Sequence, residues 1–348
     1  MSKRIHLSQN IRSNLVASVL LAVAPACGDD SAESADAGAA TTTADETGAG
    51  ATDSPTSEGS GDETGVDETG ADETGGESSG GEAGAPLVLS GFDLPESVFW
   101  SADERVWYVS NIGGELGAKD GDGFISRLDA DGGVVAMDWV TGLDGPAGLR
   151  GAGGKLYVAD VDRLHAIDIA GAAIEQSVTI PGAMFLNDVE VGPGGEVFVS
   201  DTVTHSVHMW QPGSEPVVVI QSPGLEAPNG LIFKGDALYV AGIGSLSDAN
   251  LVGHLQRIDM GAATPISDHA GKFDGLEVDG ADFLATEFTG KLERISGDGA
   301  TVTVVRDLAA EDGLMSTADL GFDPDRRLVA IPDLLGGNVA LYTLPDAG

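Results

Sequence analysis

The sequence predicts an all-β chain, a six-bladed β-propeller closed by an N-terminal strand and preceded by a disordered acidic linker. Three observations predict it. A unit that opens with a two-residue polar or small step and a short apolar run recurs six times: ESVFW (Glu96), AGLRG (Ala147), NDVEV (Asn187), NGLIF (Asn229), DGLEV (Asp274) and ADLGF (Ala318). A second strand follows each start in step: WYVSN, LYVAD, VFVSD, LYVAG, FLATE and LVAIP. Successive starts are 51, 40, 42, 45 and 44 residues apart. That period, with about four short strands per unit, marks propeller blades rather than a solenoid or a sandwich.

The first element is residues 1–27. A basic start (Lys3, Arg4, Arg12) leads into an apolar run from Leu15 to Ala26 and small residues before Cys27, the layout of a secretory signal. Small residues followed by cysteine resemble a bacterial lipoprotein box. This implies lipidation of Cys27 and a domain held at the cell envelope by a lipid anchor; cleavage after Ala24-Pro25-Ala26, with secretion, is the alternative. Cys27 is the single cysteine, so the fold is expected to hold by packing, and by metal if one binds, without disulfides.

Residues 28–85 read as a linker. DETG occurs there four times, from Asp45, Asp62, Asp67 and Asp72, and the segment has 16 Asp and Glu with no Lys or Arg. Such a chain buries almost nothing and repels itself, so disorder and an extended reach of about 40 Å or more are expected. The remainder, 86–348, is strongly acidic in its own right. A formal net charge of −39 excludes nucleic-acid binding through phosphate contacts, which needs a surplus of Lys and Arg.

The propeller is expected to span 86–348. Unit one supplies four strand candidates, ESVFW, RVWYVSN, GFISRLD and VVAMDWV. The sixth unit lacks a strand after NVALYTL, and PLVLSG (86–91) is expected to complete it and lock the ring. No helical stretch interrupts the repeats, which disfavours a wound α/β sheet. KDGDGF (119–124) and DADGG (129–133) carry Asp-x-Asp-Gly fragments but lack the glutamate that closes an EF-hand loop, so they read as turns. Asn111, Asp160, Asp201 and Glu287 end second strands at matching places and are expected to cap turns.

The first strand of each propeller blade lines the central channel, so equivalent starts converge on one axis. Glu96, Asn187, Asn229 and Asp274 bring four oxygen donors there, and Ala147 and Ala318 leave space. Asn229 thus precedes a strand-like apolar run because its side chain faces the channel, while Gly230 lets the backbone pack closely. Two carboxylates and two amides on a small ring call for a hard divalent cation, Ca²⁺ first, with Zn²⁺ and Mn²⁺ as alternatives. A polar, water-filled channel is the other reading of the same four positions.

These ring residues, with NDVEVGPGGEVFVSD, PNGLIF, DGLEVDG and PDLLGGNVALYTL, resemble the senescence-marker-protein/gluconolactonase (regucalcin-like) family, related to paraoxonase-type propellers. The resemblance spans residues 90–344. It implies one divalent cation and hydrolysis of a small-molecule lactone or related ester. By the same resemblance Glu96, Asn229 and Asp274 are ligands, Asn187 is a ligand or holds a water or substrate, and Asp274 doubles as base. Because a metal-bound Asp is a weak base, His205 is the candidate for a second one.

The chain departs from that family at Phe185, where an arginine commonly stands two positions before the equivalent of Asn187. A charged clamp for a polyhydroxylated substrate is missing, and Met184 with Phe185 favours a more apolar one. Asp188 is a candidate for a second, structural ion. The reading that competes with a hydrolase is a non-catalytic propeller that binds a ligand or protein, with a structural metal. A monomer is expected.

Overall fold

The computed structural model describes residues 84–345. The signal segment, Cys27 and all but the end of the acidic linker lie outside the described residues. Twenty-four strands form six four-stranded antiparallel sheets among the described residues. Blade one holds β2 (Pro95–Ser101), β3 (Val106–Asn111), β4 (Gly123–Asp129) and β5 (Val134–Leu143). Blade two holds β6 (Pro146–Ala152), β7 (Lys155–Asp160), β8 (Arg163–Asp168) and β9 (Ala173–Thr179). Blade three holds β10 (Leu186–Val191), β11 (Val197–Asp201), β12 (Ser206–Trp210) and β13 (Val217–Gln221).

Blade four holds β14 (Pro228–Lys234), β15 (Ala237–Gly242), β16 (Gly253–Asp259) and β17 (Ala262–Gly271). Blade five holds β18 (Phe273–Asp279), β19 (Asp282–Glu287), β20 (Lys291–Ile295) and β21 (Val302–Asp307). Blade six combines β22 (Gly321–Asp323), β23 (Leu328–Asp333) and β24 (Asn338–Thr343) with β1 (Leu87–Ser90). β1 pairs with β24, Leu87 opposite Leu341 and Ser90 opposite Asn338, so the two ends of the domain share one sheet and the ring closes as expected. One short helix, α1 (Leu308–Asp312), follows β21. No helix among the described residues is long and apolar enough to cross a membrane.

The core lies in the seams between blades. Six buried apolar clusters each join one blade to the next. Val98, Trp107 and Leu128 meet Val339 and Leu341 across the closing seam, and Ile125 and Leu143 meet Leu149 and Ile167 across the next. The apolar alternation of each inner strand supplies one side of a seam, and the second strand of its neighbour supplies the other. Apolar packing thus runs through every seam of the ring. The Asp-rich fragments serve as turns: the Asp129 carboxylate accepts the N–H groups of Asp131 and Gly133, and that of Asp120 accepts Asp122 N–H.

Candidate metal centre

The inner strands of blades one to five share one irregularity that builds the site. In each, two consecutive residues face a single residue of the second strand: 96 and 97 oppose Ser110, 187 and 188 oppose Ser200, and 274 and 275 oppose Thr286. Blades two and four carry the same bulge at 147–148 and 229–230. A bulge leaves the extra residue unpaired and turns the strand, so two side chains per blade, not one, are freed from the ladder.

Hydroxyls replace the lost ladder bonds. Ser97 N–H donates to Ser110 Oγ, Asp188 N–H to Ser200 Oγ and Gly275 N–H to Thr286 Oγ1. Ser200 and Thr286 pass the bond on to the carbonyls of Asn229 and Ala318 in the next blade. The segments leading into the ring are held by the side chains that end the second strands. Asp160 accepts the N–H groups of Asp144 and Gly145, Asp201 those of Met184 and Phe185, and Asn111 Oδ1 that of Asp93. Asp333 does the same for Met315 and Ser316. The expected capping role holds for Asn111, Asp160 and Asp201; Glu287 instead pairs with Lys291.

The first layer of the channel contains the four predicted donors. Glu96, Asn187, Asn229 and Asp274 are 6%, 5%, 2% and 3% exposed. Glu96 Oε2, Asn187 Oδ1, Asn229 Oδ1 and Asp274 Oδ1 are buried with no hydrogen-bond partner among the described residues. Burial, then the charges of Asp274, Asp319 and Asp188, pushes the Glu96 carboxyl well up. Burial, then Asp319, does the same to Asp274, against a hydrogen bond from Asn229. Among the described residues no group of three or more His, Cys, Asp or Glu side chains is placed to hold a metal ion.

The second layer holds two carboxylates, Asp188 and Asp319, between small residues. Asp188 Oδ1 accepts Val189 N–H and Oδ2 accepts Leu231 N–H, each at 2.6 Å, so both oxygens are engaged by backbone. Asp319 Oδ2 accepts the Ser97 hydroxyl at 2.5 Å, and Oδ1 accepts Leu320 N–H. Room for them comes from glycine: a Cβ on Gly148 would stand 2.5 Å from Asp188 Cα, and one on Gly275 2.5 Å from Asp319 Oδ1. Gly230 makes the close approach expected of it, with a Cβ there only 2.5 Å from Asp274 O.

The third layer is a charged floor. Arg150 Nη1 donates to Glu277 Oε1 at 2.7 Å, and its Nε lies 3.1 Å from Glu190 Oε2. The second contact is close enough for attraction but makes no hydrogen bond, so Glu277 is the firmer partner. Asp319 and Arg150 lay outside the sequence expectation. They sit one and three positions after Ala318 and Ala147, so counting every unit at its second and fourth residues would have found them.

Phe185 packs into an apolar cluster at the channel mouth with the ring residue Ala318. His205, in the turn between β11 and β12, has φ 50° and accepts Ala227 N–H at Nδ1. That bond leaves the proton of the neutral ring on Nε2, so His205 as placed offers a donor rather than a base. His208 is buried in its strand, bonded to Ser206 Oγ, and burial pulls its pKa down.

No family model matches the chain, and no curated protein matches it. Solved structures do. A gluconolactonase from Xanthomonas campestris superposes with a TM-score of 0.55 at 19% identity, over 75% of this chain and 90% of the other. Regucalcin from Agrobacterium tumefaciens, a calcium-binding protein, gives 0.53 at 16%, over 75% and 94%. Virginiamycin B lyase from Staphylococcus aureus gives 0.50 at 14%, over 74% and 99%. At these identities the likeness is one of fold: the chain is a six-bladed propeller of the architecture found in gluconolactonase-like and regucalcin-like structures.

Proposed function

We propose that the chain is a divalent-metal-dependent hydrolase that opens a lactone or cleaves a related ester. One observation carries this reading: four buried oxygens, one from each of four blades, have no hydrogen-bond partner among the described residues. An unpaired buried acceptor costs about 1–3 kcal/mol, and native structures hold few of them. A hard cation suits carboxylate and amide oxygens of this kind.

Glu96, Asn187, Asn229 and Asp274 would hold that cation, with Ca²⁺ the first candidate. Bound there, it would act as a Lewis acid on the substrate carbonyl. Asn229 hydrogen-bonds the Asp274 carboxylate and orients it, and Asp274 is the group in the ring suited to take a proton from an attacking water. Ala147 and Ala318 add no donor to the ring. The Arg150–Glu277 bridge spans the ring on the far side of these four residues.

Fold does not choose chemistry, and a lyase superposes on this chain too. The test is a panel of lactones and aryl esters assayed with Ca²⁺, Mn²⁺, Zn²⁺ or chelator, beside Asp274→Asn. Turnover that needs a divalent ion and is lost in the variant supports the hydrolase. No metal-dependent turnover on any substrate leaves the alternative, a ligand- or protein-binding propeller with a structural ion. The same reading puts the domain at the cell envelope, tethered through Cys27. Cys27→Ser is expected to move it to the soluble fraction.

A further inference from the structure

Asn111, Asp160, Asp201 and Asp333 end the second strands of blades one, two, three and six, and each accepts backbone N–H from the segment leading into the ring. In blade four the same place falls on Gly242, which pairs with Pro228 as Asp160 pairs with Pro146. Gly242 has no side chain to accept with. The chain itself fills the space, since a Cβ there would stand 3.0 Å from Glu226 O.

Blade three supplies the missing acceptor. His205 Nδ1 accepts Ala227 N–H at 3.0 Å, and the His205 carbonyl accepts Ser222 N–H at 2.9 Å. One residue thus clasps both ends of the connection from β13 to β14. Glu226 and Ala227 have φ of 57° and 58°, a region that residues with a Cβ rarely adopt. Ala227 also precedes Pro228, and a proline favours extended backbone before it. Such a kink persists only where its surroundings fix it.

Asn229 follows directly. Thr202 Oγ1 donates to Pro228 O at 2.8 Å and Ser200 Oγ to Asn229 O at 2.7 Å, so blade three also grips the two residues after the kink. Those bonds hold carbonyls, whereas the direction of entry is set at Ala227. Asn229 presents an unpartnered Oδ1 among the described residues and hydrogen-bonds Asp274, so its aim bears on two of the four ring donors.

We infer that His205 is a positioning residue for the metal centre: it stands in for the missing cap of blade four, fixes the left-handed turn at Ala227 and so aims Asn229 at the ring. This rests on the metal centre of the proposed function and is independent of what the centre hydrolyses.

The test measures Ca²⁺ affinity of the full chain by calorimetry, with melting in chelator as the record of folding. His205→Leu removes the acceptor and is expected to weaken Ca²⁺ binding about fivefold, the net worth of one hydrogen bond. His205→Asn keeps an acceptor one bond beyond Cγ, as Nδ1 is, and tolerates positive φ; it should bind Ca²⁺ nearly as well as wild type. Ala227→Gly, which adopts positive φ without strain, should restore most of the affinity when added to His205→Leu. If His205→Leu alone does not fold, recovery of folding and Ca²⁺ binding in that double variant supports the inference, and no recovery overturns it. Equal affinity in wild type and His205→Leu, equal losses in both His205 variants, or a loss that Ala227→Gly leaves in place overturns the positioning role and leaves the metal centre standing. A wild-type chain that binds no Ca²⁺ overturns both.

Discussion

Arg150 on the second blade bonds Glu277 on the fifth, directly across the ring, with Nη1 2.7 Å from Oε1. A side chain that spans opposite blades must cross the axis, so the propeller has a floor. Arg150, Glu277 and Glu190 are only 12%, 14% and 10% exposed, and removing one partner of a buried ion pair strands the others. Arg150→Met is therefore expected to lower stability by about 3 kcal/mol, the low end for such a loss, as read from denaturant unfolding. Glu277→Gln added to Arg150→Met should recover part of it. A double variant as unstable as the single one would show that the bridge is not what Arg150 contributes.

The floor also sets a pH dependence. Burial pushes the Glu190 carboxyl up to about 7, with Glu277 and Asp319 helping and Arg150 and the Val191 N–H opposing. A carboxyl whose folded pKa lies above its unfolded value of about 4.3 holds its proton longer in the folded state. Stability then falls as pH rises from about 4.3 to 7, because the folded form must give up a proton that the unfolded form has already lost. Asp319, also pushed up to about 7 by burial, acts in the same direction, so Glu190→Gln should make the curve less steep over that window without flattening it. An equally steep curve in the variant would move the effect elsewhere.

The ring was legible in the sequence because its period is carried by turn residues and short apolar runs, which the eye can stack. Glu96, Asn187, Asn229 and Asp274 fell on that period, and the strand missing from the sixth unit pointed to the closing strand at Leu87–Ser90. The second and third layers were not legible by the same route. Strict alternation sends every other residue to one face, and the bulge at 96–97 and its equivalents breaks alternation just where the site is built. Asp188 therefore reads from sequence only as a candidate for a second ion, and Asp319 is not singled out. The role of His205 was also beyond sequence reasoning, since the Ala227 N–H that engages it lies 22 residues away.

Glu96 gives a prediction in which the sign changes with the cation. Without metal, its carboxyl is buried beside the charge of Asp274, so Glu96→Gln should raise the melting temperature by removing a repelled, unpaired group. With Ca²⁺ at about 100 times its Kd, the wild-type chain should gain about 2.7 kcal/mol by mass action, and the variant much less. Chelator should return the wild-type melt to its starting point. A variant that melts lower than wild type both with and without Ca²⁺ would remove Glu96 from the ligand set.

Gly275 tests the second layer. A methyl at this position would lie 2.5 Å from Asp319 Oδ1 and the same distance from Leu320 N. The backbone amide cannot yield as a flexible side chain would. Gly275→Ala is expected to cost about 1–3 kcal/mol by overpacking and to weaken Ca²⁺ binding measured by calorimetry, because Gly275 follows Asp274 in the same bulge. Gly280→Ala, at a turn where a Cβ meets nothing within 4 Å but φ is +63°, gives the comparison. It should cost stability through backbone strain and leave Ca²⁺ affinity unchanged.

Closure through β1 makes the last prediction. β1 contributes four residues, is largely exposed along its outer side, and buries little beyond Leu89, which packs against the seam around Trp107 and Leu341. Its main service is to pair β24, whose edge would otherwise offer unpaired N–H and C=O groups to other chains. A chain starting at Gly84 keeps this pairing and should melt with the full-length protein. A chain starting at Gly91 lacks it, and should melt lower and scatter light on heating as β24 recruits strands from neighbours. Equal melting of the two shortened chains, with neither aggregating, would show that the ring closes without its N-terminal strand.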